Sequence, residues 1–149
     1  MKAIHHVLTV AASPEQIYSA LSTLEGLTGW WTTRVSGDTQ VGGVIHFTFD
    51  GEFDPEMKVT ALEPGARLTW ESVGGPMNWD GSSFEFTLEQ TLAGTLVRFW
   101  QRYGRPLADD AFGIYNYNWG YYLESLRLLC ETGQGKPFLA EVLGDARTA

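Results

Sequence analysis

Residues 115–129, YNYNWGYYLESLRLL, carry five aromatic rings in their first eight positions and then turn leucine-rich. At ~100° per residue, Phe112, Tyr115, Trp119, Tyr122, Leu123, Leu126, Leu129 and Cys130 fall on one stripe. Asn116, Gly120, Glu124, Arg127 and Glu131 form a polar wedge, and Tyr117, Tyr121 and Leu128 a third, partly apolar flank. The pattern predicts one helix over about 110–132, capped by Asp109 or Asp110 and stopped by Gly133. At ~1.5 Å per residue it spans ~34 Å. A helix that only packs needs leucines, so these rings mark either a bulky core or a wall around a ligand.

Upstream, over residues 40–103, the apolar period is two. Ile45, Phe47 and Phe49 share one face, with Val44, His46 and Thr48 opposite. Met57, Val59, Ala61, Leu68 and Trp70 are expected on one side of a strand pair that turns at Pro64-Gly65. A hairpin around Ala93-Gly94 sends Phe84, Phe86, Leu88, Val97, Phe99 and Gln101 inward. Glu85, Glu89, Arg98 and Arg102 point outward and are expected to pair across strands, with Trp100 packed under arginine stems or marking an interface. Such alternation predicts an antiparallel sheet with one covered and one wet face. Residues 3–11 read as a first strand, and SPEQ (13–16) as a capped helix start. A second short helix or turn follows around GLTGWW. The order is strand, two short helices, about five strands, long helix, which indicates an α+β domain spanning residues 1–149.

Composition excludes several classes. Net charge is −8, with ten basic residues against eighteen acidic, which argues against nucleic acid as a partner. No apolar run approaches the roughly 18 residues of a membrane helix, so no membrane insertion is expected. A single cysteine, Cys130, fits a reducing cytoplasm and a small buried core residue. His5 and His6 are adjacent on a strand and point to opposite faces, and His46 lies on the wet face, so no metal site is expected. No nucleophile has a base in sight, and no catalytic residue or cofactor is assigned. Asp50, Glu52 and Asp54 read as a solvated loop.

ASPEQIYSAL followed by GWW, GG before the second strand, then EPGARLTW, GTLVRF and WGYYLESLRLLCETGQGKPF span nearly the whole chain. In order and spacing they resemble the helix-grip superfamily of START lipid-transfer domains, birch-pollen-allergen-like proteins and polyketide cyclases. Within it the chain is similar to the bacterial branch named after the activator of the heat-shock chaperone ATPase. The resemblance implies a curved antiparallel sheet wrapped around the long C-terminal helix, with an apolar cavity between them.

The expected function is non-covalent binding of a small hydrophobic or aromatic molecule in that cavity. Phe47, Phe49, Trp70, Phe84, Trp119 and Tyr122 are expected as walls. Gln101 and Tyr115 supply polar contacts, with Tyr115 or a water as partner of Gln101, and Trp30 and Trp31 stand near the entrance. A cyclase or dehydratase acting in the same cavity needs an inward acid or base, and none is found. A protein-interaction module, co-chaperone-like, needs an exposed apolar patch, for which Trp100, Tyr117 and Tyr121 are candidates. The flank formed by Tyr117, Tyr121 and Leu128 must be covered by the tail at Pro137, Phe138 and Leu139, by the loop after Trp31, or by a second subunit in a homodimer.

Overall fold

The computed structural model describes residues 2–140. Strand β1 (Ala3–Val10) leads into helices α1 (Pro14–Ser22) and α2 (Leu24–Trp30). Then come β2 (Arg34–Gly37), β3 (Val44–Thr48), β4 (Glu56–Glu63), β5 (Arg67–Gly74), β6 (Ser83–Thr91), β7 (Gly94–Arg102) and the long helix α3 (Asp109–Thr132). The strands form one antiparallel sheet in the order β1-β7-β6-β5-β4-β3-β2. This is the α+β helix-grip architecture. β2 was not anticipated, because four mostly exposed residues carry no readable alternation.

Local chemistry sets the helix boundaries. Ser13 Oγ accepts from the Gln16 amide at 3.2 Å, and Gln16 Oε1 accepts from the Ser13 amide at 3.1 Å, so the capping box is complete. Thr23 Oγ1 caps α2 by accepting from the Gly26 amide at 3.0 Å. The two helices touch at Gly26, where a Cβ would lie 2.5 Å from Ala20 Cα. The N-cap of α3 is Ala108, with no side-chain bond; Asp109 and Asp110, the expected caps, occupy its first turn instead. There their charge suits the helix dipole, and Asp109 pairs with Lys2. Gly133 ends the helix with φ +85, a left-handed position that favours glycine.

Inward positions of the sheet form one core with the helices, including Phe47, Trp70, Phe84, Phe86, Phe99 and Trp119. The expected inward place of Ala61 is corrected by a bulge after Val59: Leu62 pairs with Leu68 and packs on the core, while Ala61 is only half-buried. On the outer face Glu85 accepts from Arg67 at 2.7 Å and from Arg102 at 3.1 Å, and Arg98 reaches Glu89 at 2.8 Å. Trp100 stacks on His5 with ring centroids 3.7 Å apart and lies under the Arg102 guanidinium at 4.7 Å. That packing accounts for an aromatic on the wet face. His46 pairs with Glu56 at 2.7 Å on the same face.

The polar wedge of α3 fastens the helix. Arg127 bridges Glu124 and Glu131, and Glu131 also accepts from the Ala11 amide at 2.9 Å. Asn116 contacts His6 at 3.0 Å. Buried Ser125 donates to the Trp30 carbonyl at 2.8 Å and accepts from the Lys136 amide at 2.6 Å, tying α2, α3 and the tail together. Phe138 then exchanges backbone bonds with Trp31 and Thr33, each 2.9 Å, so its ring returns over the end of the sheet. The tail lines a groove with Tyr117, Tyr121 and Tyr122 but leaves Tyr117 77% and Tyr121 48% exposed. Cys130 is half-buried against the core. Among the described residues no helix is long and apolar enough to cross a membrane.

Candidate functional site

The interior is filled where the sequence suggested a void. Trp31 ends α2 and projects between sheet and helix, only 2% exposed. Its indole stacks on Trp30 (5.9 Å), Trp70 (6.2 Å), Trp79 (6.5 Å) and Trp119 (5.1 Å). Trp30 is fully buried and donates from Nε1 to the Ala20 carbonyl at 2.9 Å. Neither tryptophan stands at an entrance: both are core residues, because α2 carries them under α3 rather than to the rim. Phe47, Trp70 and Phe84 are core walls of the same stack.

Gln101 is fully buried on β7 and accepts from Trp119 Nε1 at 2.8 Å; its amide nitrogen reaches Ser82 Oγ at 3.5 Å. The expected Tyr115 partner is replaced by Trp119, which lies closer to the sheet on the helix stripe. This bond satisfies two deeply buried polar groups and faces no open space.

A cavity of about 310 Å³ lies beside this packed centre. Its lining is Trp31, Phe49, Asp50, Phe53, Trp79, Ile114, Tyr115, Asn118, Trp119, Tyr122 and Phe138. Of the ten candidate residues, the structure brings Trp31, Phe49, Tyr115, Trp119 and Tyr122 to this wall. Trp30, Phe47, Trp70, Phe84 and Gln101 do not line it. Five segments converge here: the end of α2, the β3–β4 loop, a single 3-10 turn at Met77–Trp79, α3, and the stretch after α3 that carries Phe138. The five rings of Tyr115–Tyr122 thereby divide their roles. Trp119 packs in the core and edges the cavity, Tyr115 and Tyr122 wall it half-buried, and Tyr117 and Tyr121 face outward.

Phe53 meets Trp79 nearly at right angles (87°, 4.9 Å), and Trp79 meets Tyr115 at 62° and 5.5 Å. Phe49 packs edge-on to Tyr122 at 6.3 Å. Burial pushes the Tyr122 phenol above its ordinary range. Behind Trp79, the buried Tyr103 phenol is raised strongly by desolvation. The Trp79 indole N–H lies near enough to lower it slightly, yet the two fall short of hydrogen-bond geometry.

Asp50 is exposed, as expected for its loop, and among the described residues it is the one carboxylate on the cavity wall. Its Oδ1 accepts from the amides of Glu52 (3.0 Å) and Phe53 (2.8 Å), and Asp54 Oδ1 accepts from Phe49 (2.8 Å) and Gly51 (3.2 Å). Sequence reasoning missed Asp50, Phe53, Trp79, Ile114, Asn118 and Phe138 as lining. The available signal was an isolated aromatic inside each of two turn segments, PMNWDG and DGEFDP. Among the described residues no group of three or more His, Cys, Asp and Glu is placed to hold a metal.

The fold recurs in solved structures. The Aha1 dimer from Colwellia psychrerythraea is 37% identical, with 91% of this chain and 100% of that chain covered and a TM-score of 0.82. Protein MLL2253 from Mesorhizobium loti is 24% identical, covering 86% and 96%, TM-score 0.74. CalU16 from Micromonospora echinospora is 18% identical, covering 98% and 80%, TM-score 0.66. The last two share the fold alone. No curated protein sequence matches the chain. The model of the activator of Hsp90 ATPase homolog 1-like proteins matches residues 11–131. With that match over most of its length, and a sheet closed on α3 as in the Colwellia structure, the chain belongs to the activator of Hsp90 ATPase homolog 1-like family.

Proposed function

We propose that the protein acts as a single-domain binder of a small hydrophobic or aromatic molecule, held without covalent chemistry between the β3–β4 loop, the Trp79 turn and α3. The observation that carries this reading is the ring-lined cavity of about 310 Å³. Ligand sites of drug-sized molecules run to roughly 300–1,000 Å³ and combine apolar walls with a few polar groups. Here Asp50, Asn118 and the Tyr115 and Tyr122 hydroxyls are those groups. The lone half-buried cysteine suits a cytoplasmic protein. The test is titration with a panel of apolar, environment-sensitive dyes, using the parent and Asn118→Trp, which plugs the mouth from an exposed helix position. Binding that the plug abolishes supports the reading. Failure of every dye, or binding indifferent to the plug, contradicts it.

A second reading concerns assembly. Ile114 (60% exposed), Tyr117 and Tyr121 form an apolar strip along α3, and the similar Colwellia protein is described as a dimer. Self-association through this strip would bury Ile114 at the cavity edge. Sedimentation should then show a dimer that Tyr117→Glu with Tyr121→Glu converts to a folded monomer. A parent that is monomeric at high concentration refutes it.

A further inference from the structure

We propose that two copies of the chain pair through the outward face of α3 in antiparallel register, so that each copy's helix covers the mouth of the other's cavity. The proposal rests on the reading of Ile114, Tyr117 and Tyr121 as a self-association strip, and it fixes the strip's orientation and its consequence for the cavity. Asp110, Ile114, Tyr117, Tyr121, Glu124 and Leu128 follow one another at alternating steps of four and three residues. An average step of roughly 3.5 residues is the spacing of a seam that meets a second helix. Tyr115, Trp119 and Tyr122 already pack against the core, so this seam is a second face of the same helix. Its centre is exposed at Ile114, Tyr117 and Tyr121. Tyrosine suits such a face, because its ring is apolar and its hydroxyl tolerates water.

Charge sets the direction. Asp110 lines a shallow depression with Ile114 and Tyr117 at one end of the strip. Lys136 lines the groove with Tyr117 and Tyr121 at the other. Both are exposed, and among the described residues neither forms an ion pair. The Lys136 amide donates to Ser125 Oγ at 2.6 Å, which holds Lys136 level with Ser125 on the helix. At ~1.5 Å per residue, Asp110 and Ser125 stand about 11 Å to either side of the point midway between Tyr117 and Asn118. A two-fold axis at that point brings Asp110 against the partner's Lys136 twice, and Ile114 against the partner's Tyr121. Glu124, near the Lys136 end, is already held by Arg127. A parallel pair would set Asp110 beside the partner's Asp110 and Lys136 beside the partner's Lys136, like charge on like. Ile114 and Asn118 line the cavity from exposed positions, so the paired helix lies across the opening they border.

The experiment reverses the two charges and follows the dimer by sedimentation equilibrium. Asp110→Lys alone and Lys136→Glu alone should each weaken the dimer about tenfold, because each disturbs two symmetry-related pairs. The double variant should return to within about threefold of the parent. Within one chain the two positions lie about 22 Å apart along the helix, so one change can repair the other only across the interface. With Cys130→Ser as background, an Asn118→Cys thiol should be alkylated severalfold more slowly in the dimer than in the single-charge variants diluted to monomer. A parent that is monomeric at high concentration overturns both this inference and the self-association reading. A dimer that is indifferent to the single reversals, or that the double variant does not restore, overturns the antiparallel register while self-association stands. A restored dimer whose Asn118→Cys thiol is not protected overturns the covering of the cavity.

Discussion

Replacing Gln101 by leucine separates core from ligand site. Gln101 and Trp119 are both at most 3% exposed, and the bond between them is 2.8 Å. Leucine is close in volume, so the cavity contribution is small. The loss is that Trp119 Nε1 is stranded in the interior, which costs about 1–3 kcal/mol. The contact to Ser82 adds little at 3.5 Å. We expect a destabilisation of about 2 kcal/mol, roughly 4–8 °C in Tm for a chain of this size. Urea unfolding followed by tryptophan emission measures it, with the slope unchanged and the midpoint lowered. Adding Trp119→Phe removes the stranded N–H, so the double mutant should lose less than the sum of the single losses by about 1 kcal/mol. Affinity for any cavity ligand should be unaffected by Gln101→Leu alone. A variant within about 0.5 kcal/mol of the parent would refute the reasoning, because no buried donor would then have been left without a partner.

Three further outcomes are expected. Burial pushes the Cys130 thiol up to about 11, so at pH 8 it should react with thiol reagents about 100-fold more slowly than in the urea-unfolded chain, followed by absorbance of the released chromophore. Glu85, held below the usual carboxylate range first by its bond to Arg67, contributes stability that is present above the unfolded pKa of about 4.3 and is lost as pH falls through the folded value. Glu85→Gln should therefore cost about 1 kcal/mol at pH 7 in urea unfolding, and parent and variant should converge as pH falls through the folded value. Gly133→Ala forces a Cβ into a left-handed position with open space around it, so the penalty is conformational alone, about 1 kcal/mol by thermal unfolding.

The fold was legible because its signals are periodic. Alternation in β3 to β7 and the 3.6-residue stripe of α3 each state which face is buried, and the SPEQ box marks the start of α1. Where periodicity fails, so did the reading. β2 is too short to alternate, and the bulge after Val59 shifts Leu62 inward without any local mark. Asp109 displaced by one residue from the cap reflects the tolerance of a helix start for acidic residues anywhere in its first turn.

The site was half legible for a related reason. Period and parity identify inward residues, yet they do not tell a filled interior from an open one. Trp31 and Trp79 decide that, and neither sits in a periodic element: one ends a seven-residue helix, the other lies in a 3-10 turn. Their indoles occupy the space over Phe47, Trp70 and Phe84, which pushes the opening toward the β3–β4 loop. Tyr115, Trp119 and Tyr122 were recognisable because the helix stripe extends over both core and cavity.

The most direct test of a ligand site at this position is the indole N–H spectrum of the six tryptophans during titration with a cavity ligand. Trp31, Trp79 and Trp119 line the cavity, whereas Trp30, Trp70 and Trp100 do not. The probes are tert-butylbenzene and the panel of apolar dyes. The account predicts that the resonances of Trp31, Trp79 and Trp119 move together and saturate, while those of Trp30, Trp70 and Trp100 shift little. Saturable shifts led by Trp30, Trp70 or Trp100, or no saturable shift with any probe, would contradict it.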